Sequence, residues 1–298
     1  MWLQIVTYIS FTFIIVASFI KVRRITRQPL HLRWELYPVA HEKGREYGGS
    51  YLEQLDWWTK PRHRSFFGIV KSILREILLF EKCYRNNRGL WCFTFPFHIG
   101  LFLLIGWLLL LFVGAMVMIF GVTESIAWVM AIHYLTLGTG IVGFALSTIG
   151  SIGLLIKRSI DQNLRLYSSP ADYFNLTFIL AIVLSGLSSW YFFDPEFAYA
   201  REFMKSLITF APAATNPAMT IGILLLALFL VYVPFTHMMH WVTKYFAYHR
   251  VCWDDDPSLS DSNIQDKVAK LLNQPVTWSG PHIQPGKKWK EVVQGADE

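Results

Sequence analysis

Long apolar stretches separated by polar ones run through most of this chain. Five of them, at residues 2–20, 92–120, 126–156, 172–193 and 218–242, are long enough to count as spans. A run of about 20 apolar residues crosses the hydrocarbon core as a helix, so each predicts a membrane-spanning helix. Two further segments show helical periodicity instead of continuous hydrophobicity. In SFFGIVKSILREILLFEKCY the apolar residues Phe66, Phe67, Val70, Ile73, Leu74, Ile77 and Leu78 fall on one face, which predicts an amphipathic helix lying on a membrane surface. The loop DPEFAYAREFMKSLITFAP predicts a similar interfacial helix. The tail from Asp254 is polar and contains proline, with little to bury, and is expected to order only against a partner. The expected architecture is all-α and polytopic. A transmembrane anchor occupies 1–20 and a cytoplasmic segment with the amphipathic helix 21–91. A four-helix membrane bundle follows at 92–243, and a partner-docking tail at 244–298.

Composition supports this class and charge orients it. The 298 residues are 53% hydrophobic and 16% charged, with a mean hydropathy of +0.36, which is too apolar for an ordinary soluble domain. Of the 27 Lys and Arg, 25 fall in the segments 21–90, 157–170 and after 243, and only two, Arg201 and Lys205, in the loops between. The positive-inside rule then places the N-terminus outside and the C-terminus inside. The first apolar run lacks a basic leader; its cluster Lys21, Arg23, Arg24 and Arg27 follows it, as in an uncleaved anchor. The net charge of +6 thus reads as topology and not as a nucleic-acid footprint. The three cysteines, Cys83, Cys92 and Cys252, form no CxxCH and are too few to hold an iron–sulfur cluster; on the cytoplasmic side they are expected as reduced thiols.

Histidines inside apolar sequence carry the candidate chemistry, because an ionisable group in hydrocarbon is costly and usually has a task. His98 lies in FPFHIGLFLLIGWLLLL, and His237 and His240 lie in LLLALFLVYVPFTHMMHWV. Counted from the inner boundary, His98 is about 9 Å deep, His240 about 6 Å and His237 about 10 Å. Two helices offering imidazoles at one depth point to a ligand held between them, with haem the leading candidate. His133 stands about 36 Å from the inner end of its helix and belongs near the outer surface. A stripe of small residues on the third span, Thr136, Gly140, Gly143, Ser147 and Gly150, allows close approach of a helix or of a macrocycle. Pro234 predicts a kink before His237. Arg88, Lys244 and Arg250, near the inner boundary, are candidates to pair with propionates. No HExxH, Walker A or GxGxxG pattern is present. The readings of other classes are a haem-free membrane anchor or scaffold subunit and a transporter, for which inverted repeats would speak and none is apparent.

FHIGLF at the start of the second span, LLIKRSI at the end of the third and PFTHMMHW at the end of the fifth resemble the gamma subunit of respiratory nitrate reductase, a five-helix, N-out cytochrome b. HLRWELYPVAHE and KYFAYHRVCWDDDP resemble more closely the cytochrome b subunits of transmembrane redox complexes in sulfate-reducing prokaryotes, whose partner is a cytoplasmic iron–sulfur protein resembling a heterodisulfide reductase subunit. The resemblance implies a multi-pass subunit of a prokaryotic inner membrane. It would pass electrons between the quinone pool, menaquinone in particular, and that partner, with a periplasmic cytochrome c subunit as a further partner. It implies haem b with His98 and His240 as axial ligands of the iron, and His237 as an alternative ligand or as a group hydrogen-bonded to a propionate or quinone. The family's outer-haem positions are Leu108 and Gly222 here, so a second haem needs other ligands, such as Met116 or Met219. His133 falls where the family has a basic residue near its outer quinol site, and is the quinone candidate; the alternative is a quinone bound deeper, beside a single haem.

Overall fold

A backbone in hydrocarbon must satisfy its N–H and C=O groups within its own segment, so apolar runs become helices. The computed structural model describes residues 1–27, 55–60, 65–123, 125–246, 263–281 and 283–295. Its helices are α1 (Trp2–Thr26), α2 (Phe66–Leu78), α3 (Glu81–Asn86), α4 (Arg88–Ile119), α5 (Ala127–Ile160), α6 (Gln162–Leu166), α7 (Pro170–Phe192), α8 (Ala198–Thr209), α9 (Pro217–Tyr232), α10 (His240–Phe246), α11 (Asn263–Leu272) and α12 (Trp289–Gln294). Five segments among the described residues are long and apolar enough to cross a membrane: α1, α4, α5, α7 and Pro217–Phe235. The protein is a multi-pass membrane protein.

Local capping sets several of these ends. The Asn87 side chain accepts from the Leu90 amide at 2.9 Å and starts α4 four residues before the apolar run. Ser169 and Asp172 form a capping box on α7, with Pro170 in its first turn. The Asn216 side chain accepts from the Met219 amide at 2.8 Å at the start of α9.

The last apolar run departs from expectation. The predicted span to residue 242 is one helix only as far as Tyr232; 3₁₀ turns at Val233–Phe235 and His237–Met239 follow before α10 begins at His240. Pro234 lacks an amide proton and its ring crowds the preceding turn, so the expected kink is a break. A constant helical rise therefore does not give the depths of His237 and His240.

The described chain divides into two compact units, Met1–Val16 with Ile73–Thr236, and Ala17–Ser72 with His237–Glu298. In the first, α4 and α5 form a closely packed antiparallel hairpin, α7 lies on α5, α9 on α7, and α8 on α4. A side chain at Gly100 would run into the Ser147 backbone at 2.5 Å, and one at Gly150 into the Phe97 backbone at 2.5 Å. A side chain at Gly153 would strike the Phe93 ring, and one at Gly140 would meet Trp107 and Phe197. The small stripe of the third span thus serves helix packing. Two polar pairs tie α7 to α9: Tyr232 donates to the Asn175 side chain at 2.9 Å, and Asn216 donates to Ser189 at 2.9 Å. Helix α1 is tied to α8 through its buried Gln4, which donates to the Ala211 carbonyl at 3.1 Å, and through the Tyr8 hydroxyl, which donates to the Leu207 carbonyl at 2.6 Å.

In the second unit the tail carries more structure than its composition suggests. After α11 the chain folds back on itself: Pro275 bridges Lys288 and Gly280 bridges Ile283. Val276 is 2% exposed, and Trp278 meets Trp289 edge-on with centroids 6.2 Å apart. Main-chain bonds from Val276 to the Lys287 carbonyl and from Trp289 to the Gln274 carbonyl close the loop. Val276 and the two indoles thus form a small local cluster in a segment whose composition leaves little to bury.

Candidate functional site

His98 stands ten residues into α4, about 15 Å from its start, and His133 six residues into α5, about 9 Å from its start. The two helices run antiparallel, so these histidines occupy opposite ends of one hairpin, with roughly 20 Å of rise between them.

At the first end the half-buried His98 ring packs against Phe80, with centroids 4.5 Å apart, and edge-on against Phe97 at 5.0 Å. Its Nδ1 lies 2.8 Å from the Thr94 carbonyl oxygen. A carbonyl only accepts, so Nδ1 carries the proton and the lone pair of the neutral ring sits on Nε2. That is the arrangement of a metal-binding imidazole whose second nitrogen is fixed by a backbone carbonyl. The cations Arg88 and Lys157 lie toward this end of the hairpin. The Arg88 guanidinium lies over the Tyr84 ring at 5.0 Å. Lys157 lies 3.1 Å from Asp161, and its hydrogen bond holds the Asp161 carboxyl below the usual carboxylate range.

His237 and His240 lie in the other compact unit, His237 in a 3₁₀ turn and His240 at the first position of α10, both exposed, with Met239 between them fully buried. Lys244 is one turn further along α10. Arg250, the remaining propionate candidate, and the sequence around Cys252 lie outside the described residues. Of the outer-haem positions, Leu108 is an exposed apolar side chain on α4, and Gly222 allows α9 to approach Ser185 of α7. Among the described residues no three His, Cys, Asp or Glu side chains gather as a metal cluster.

At the second end a cavity of about 770 Å³ opens between the end of α4, the start of α5 and α8. That is within the usual range for a small-molecule site. Val117, Met118 and Met130 give it an apolar wall, and His133, Glu196 and Arg201 a polar one. Arg201 Nη1 lies 3.4 Å from His133 Nδ1, Glu196 Oε2 lies 3.5 Å from His133 Nε2, and Arg201 Nη2 donates to the Glu196 carbonyl at 2.8 Å. The buried Asp194 carboxylate places these groups. It accepts from the Ala198 and Ala200 amides at 2.6 and 3.2 Å and so fixes the first turn of α8. Phe197, in a left-handed conformation with φ 55°, anchors the same turn between Trp107 and Phe144. Sequence reading reached His133 but not Arg201 or Glu196. The signal was present in the charge count: Arg201 and Lys205 are the two basic residues of the poorly charged side, and both line this cavity.

The fold is that of a helical membrane protein with five segments long enough to span, and with a histidine toward each end of its central hairpin. The chain belongs to the nitrate reductase gamma subunit family, which it matches over residues 83–253, more than half its length. That stretch contains all three motifs FHIGLF, LLIKRSI and PFTHMMHW. It is similar to the Hdr-like menaquinol oxidoreductase cytochrome b-like subunit of Archaeoglobus profundus, 22% identical over 286 residues, covering 85% of this chain and 82% of the relative. It is also similar to the protein of the same description in Archaeoglobus fulgidus, 29% identical over 135 residues, covering 43% of this chain and 41% of the relative. No solved structure matches the chain significantly.

Proposed function

We propose that this protein is the membrane cytochrome b subunit of a prokaryotic redox complex, exchanging electrons between menaquinone and a cytoplasmic iron–sulfur partner of the heterodisulfide reductase kind. The names of the Archaeoglobus relatives support the cytochrome, the menaquinol and the Hdr-like complex. They carry no support for a periplasmic cytochrome c partner. The observation within the chain that supports the reading is the His98–Thr94 bond, which holds the ring with Nδ1 protonated, the tautomer in which a haem iron would be ligated through Nε2. Haem b, when bound, supplies reversible one-electron transfer. His98 and His240 are its proposed axial ligands, with His237 as alternative ligand or hydrogen-bonding neighbour and Arg88, Lys244 and Arg250 as propionate partners. The two imidazoles hold the group and, with its burial, set its potential. The His133 cavity is the proposed quinone site, apolar enough for the ring and polar where its oxygens would lie. The lysine and arginine distribution supports an orientation with the N-terminus outside, on which reading this cavity would lie on the outer side. Haem stoichiometry in the purified complex decides whether a second haem, on ligands such as Met116 or Met219, bridges the two ends.

A reduced-minus-oxidised visible spectrum of the complex purified with its native cofactors tests the reading. A b-type α band is expected, and His98→Ala should remove the haem that it ligates while the protein still reaches the membrane. A spectrum without that band would leave a haem-free membrane anchor as the function. Wild-type haem content in His98→Ala would overturn the ligand assignment.

A further inference from the structure

The polar wall of the His133 cavity is an ordered sequence of groups leading out of it. Arginine only donates, so its contact leaves the lone pair of the neutral His133 ring on Nδ1 and the proton on Nε2, which faces Glu196 Oε2 at 3.5 Å. Glu196 is 68% exposed while the His133 side chain is 26% exposed. In that tautomer Nδ1 carries a lone pair, held only by the long Arg201 contact, and Nε2 presents an N–H to an exposed carboxylate. Lys205 of α8 and the Tyr134 phenol of α5 line the cavity, α4 contributes no titratable lining residue, and no described residue of the α4–α5 loop is charged.

We propose that His133 and Glu196 form a proton relay between the bound quinol and water, with Arg201 as the residue that positions it. This rests on the quinone reading of the cavity given above. In quinol oxidation the hydroxyl O–H bond breaks and its proton forms an N–H bond at His133 Nδ1. The Nε2 proton then passes to the Glu196 carboxylate, and the resulting carboxylic acid releases it to water. The two electrons of the quinol would leave one at a time to a one-electron acceptor of the complex, haem b on the reading above. The first transfer leaves the imidazole protonated on Nδ1, so the ring returns to its Nε2–H tautomer by proton exchange with water before it takes the second proton; in quinone reduction the same steps run backwards. Arg201 has two tasks. Its Nη2 is anchored on the Glu196 carbonyl at 2.8 Å, whereas its Nη1 makes only the long 3.4 Å contact with His133. An arriving hydroxyl displaces that weaker contact, and the guanidinium charge then faces the quinol oxygen as it becomes anionic, where a fixed positive charge stabilises it most.

The test uses the whole complex in membrane vesicles. Heptylhydroxyquinoline N-oxide serves as the quinone-analogue probe, read by fluorescence quenching, and menadiol serves as the electron donor. Glu196→Gln should bind the probe as the wild type does. Its menadiol oxidation should slow about a hundredfold, the lower edge of what a positioned acid–base group contributes. Glu196→Asp should recover most of the rate. Wild-type rate in Glu196→Gln, with probe binding intact, would overturn the relay and leave the quinone site standing. Unchanged probe binding in His133→Ala would overturn the site itself.

Discussion

Gly150 shows how one residue determines the approach of two helices. A side chain there would enter the Phe97 backbone of α4, at 2.5 Å from both N and Cα, and a backbone cannot turn aside as a side-chain tip can. Gly138, on the same helix, would place a side chain in open space. Gly150→Leu is therefore expected to destabilise the bundle by about 1–3 kcal/mol or more, the usual cost of overpacking, and Gly138→Leu to leave it unchanged. Thermal unfolding of the two variants in the same detergent, followed by aggregation onset, checks this; equal midpoints would contradict the packing described. The spacing of small residues in α5 is visible in the sequence. That Phe93, Phe97, Gly100, Leu104 and Trp107, at alternating intervals of four and three, are their counterparts on α4 is not, because one helix's pattern does not say which neighbour fills it. His98 is similar. Its placement in an apolar run marks it for attention, but the Thr94 bond that settles its tautomer depends on the side-chain rotamer.

Among the elements, α8 differs most from its appearance in the sequence. Read as an interfacial helix on periodicity alone, it also supplies Arg201 to a cavity formed with α4 and α5. Its position depends on Asp194, a carboxylate 3% exposed that accepts two amides of the first turn. Asp194→Ala is expected to cost about 0.5–2 kcal/mol as a lost cap, concentrated in α8. Amide exchange across residues 198–209 should quicken and affinity for a quinone analogue should fall, while the haem spectrum stays as in the wild type. Exchange unchanged in α8 would show that Phe197 holds the helix without the cap. The break after α9 is the opposite case. Pro234 made a disruption legible, but the number of residues taken up by 3₁₀ turns before α10 depends on how the freed carbonyls are satisfied, which no local rule fixes.

For the molecule as a whole, the clearest expectation concerns orientation. With 25 of 27 Lys and Arg on one side of the predicted spans, a reporter fused before Met1 should be active only outside the membrane and one fused after Glu298 only inside. The reverse pattern would also move the His133 cavity to the cytoplasmic side and reverse the direction of proton release by the relay. The sequence alone determined the five spans, the amphipathic segments, the charge asymmetry and the family, because hydrophobic length, periodicity and motif are properties of contiguous residues. Only the tertiary structure decided that the small stripe packs against α4, that a polar tail segment folds around Val276, and that His133, Arg201 and Glu196 meet at one cavity. Arg201 is 68 positions from His133 in the chain, and a contact across that distance is fixed by the packing of α8 on α4, not by any pattern along the chain.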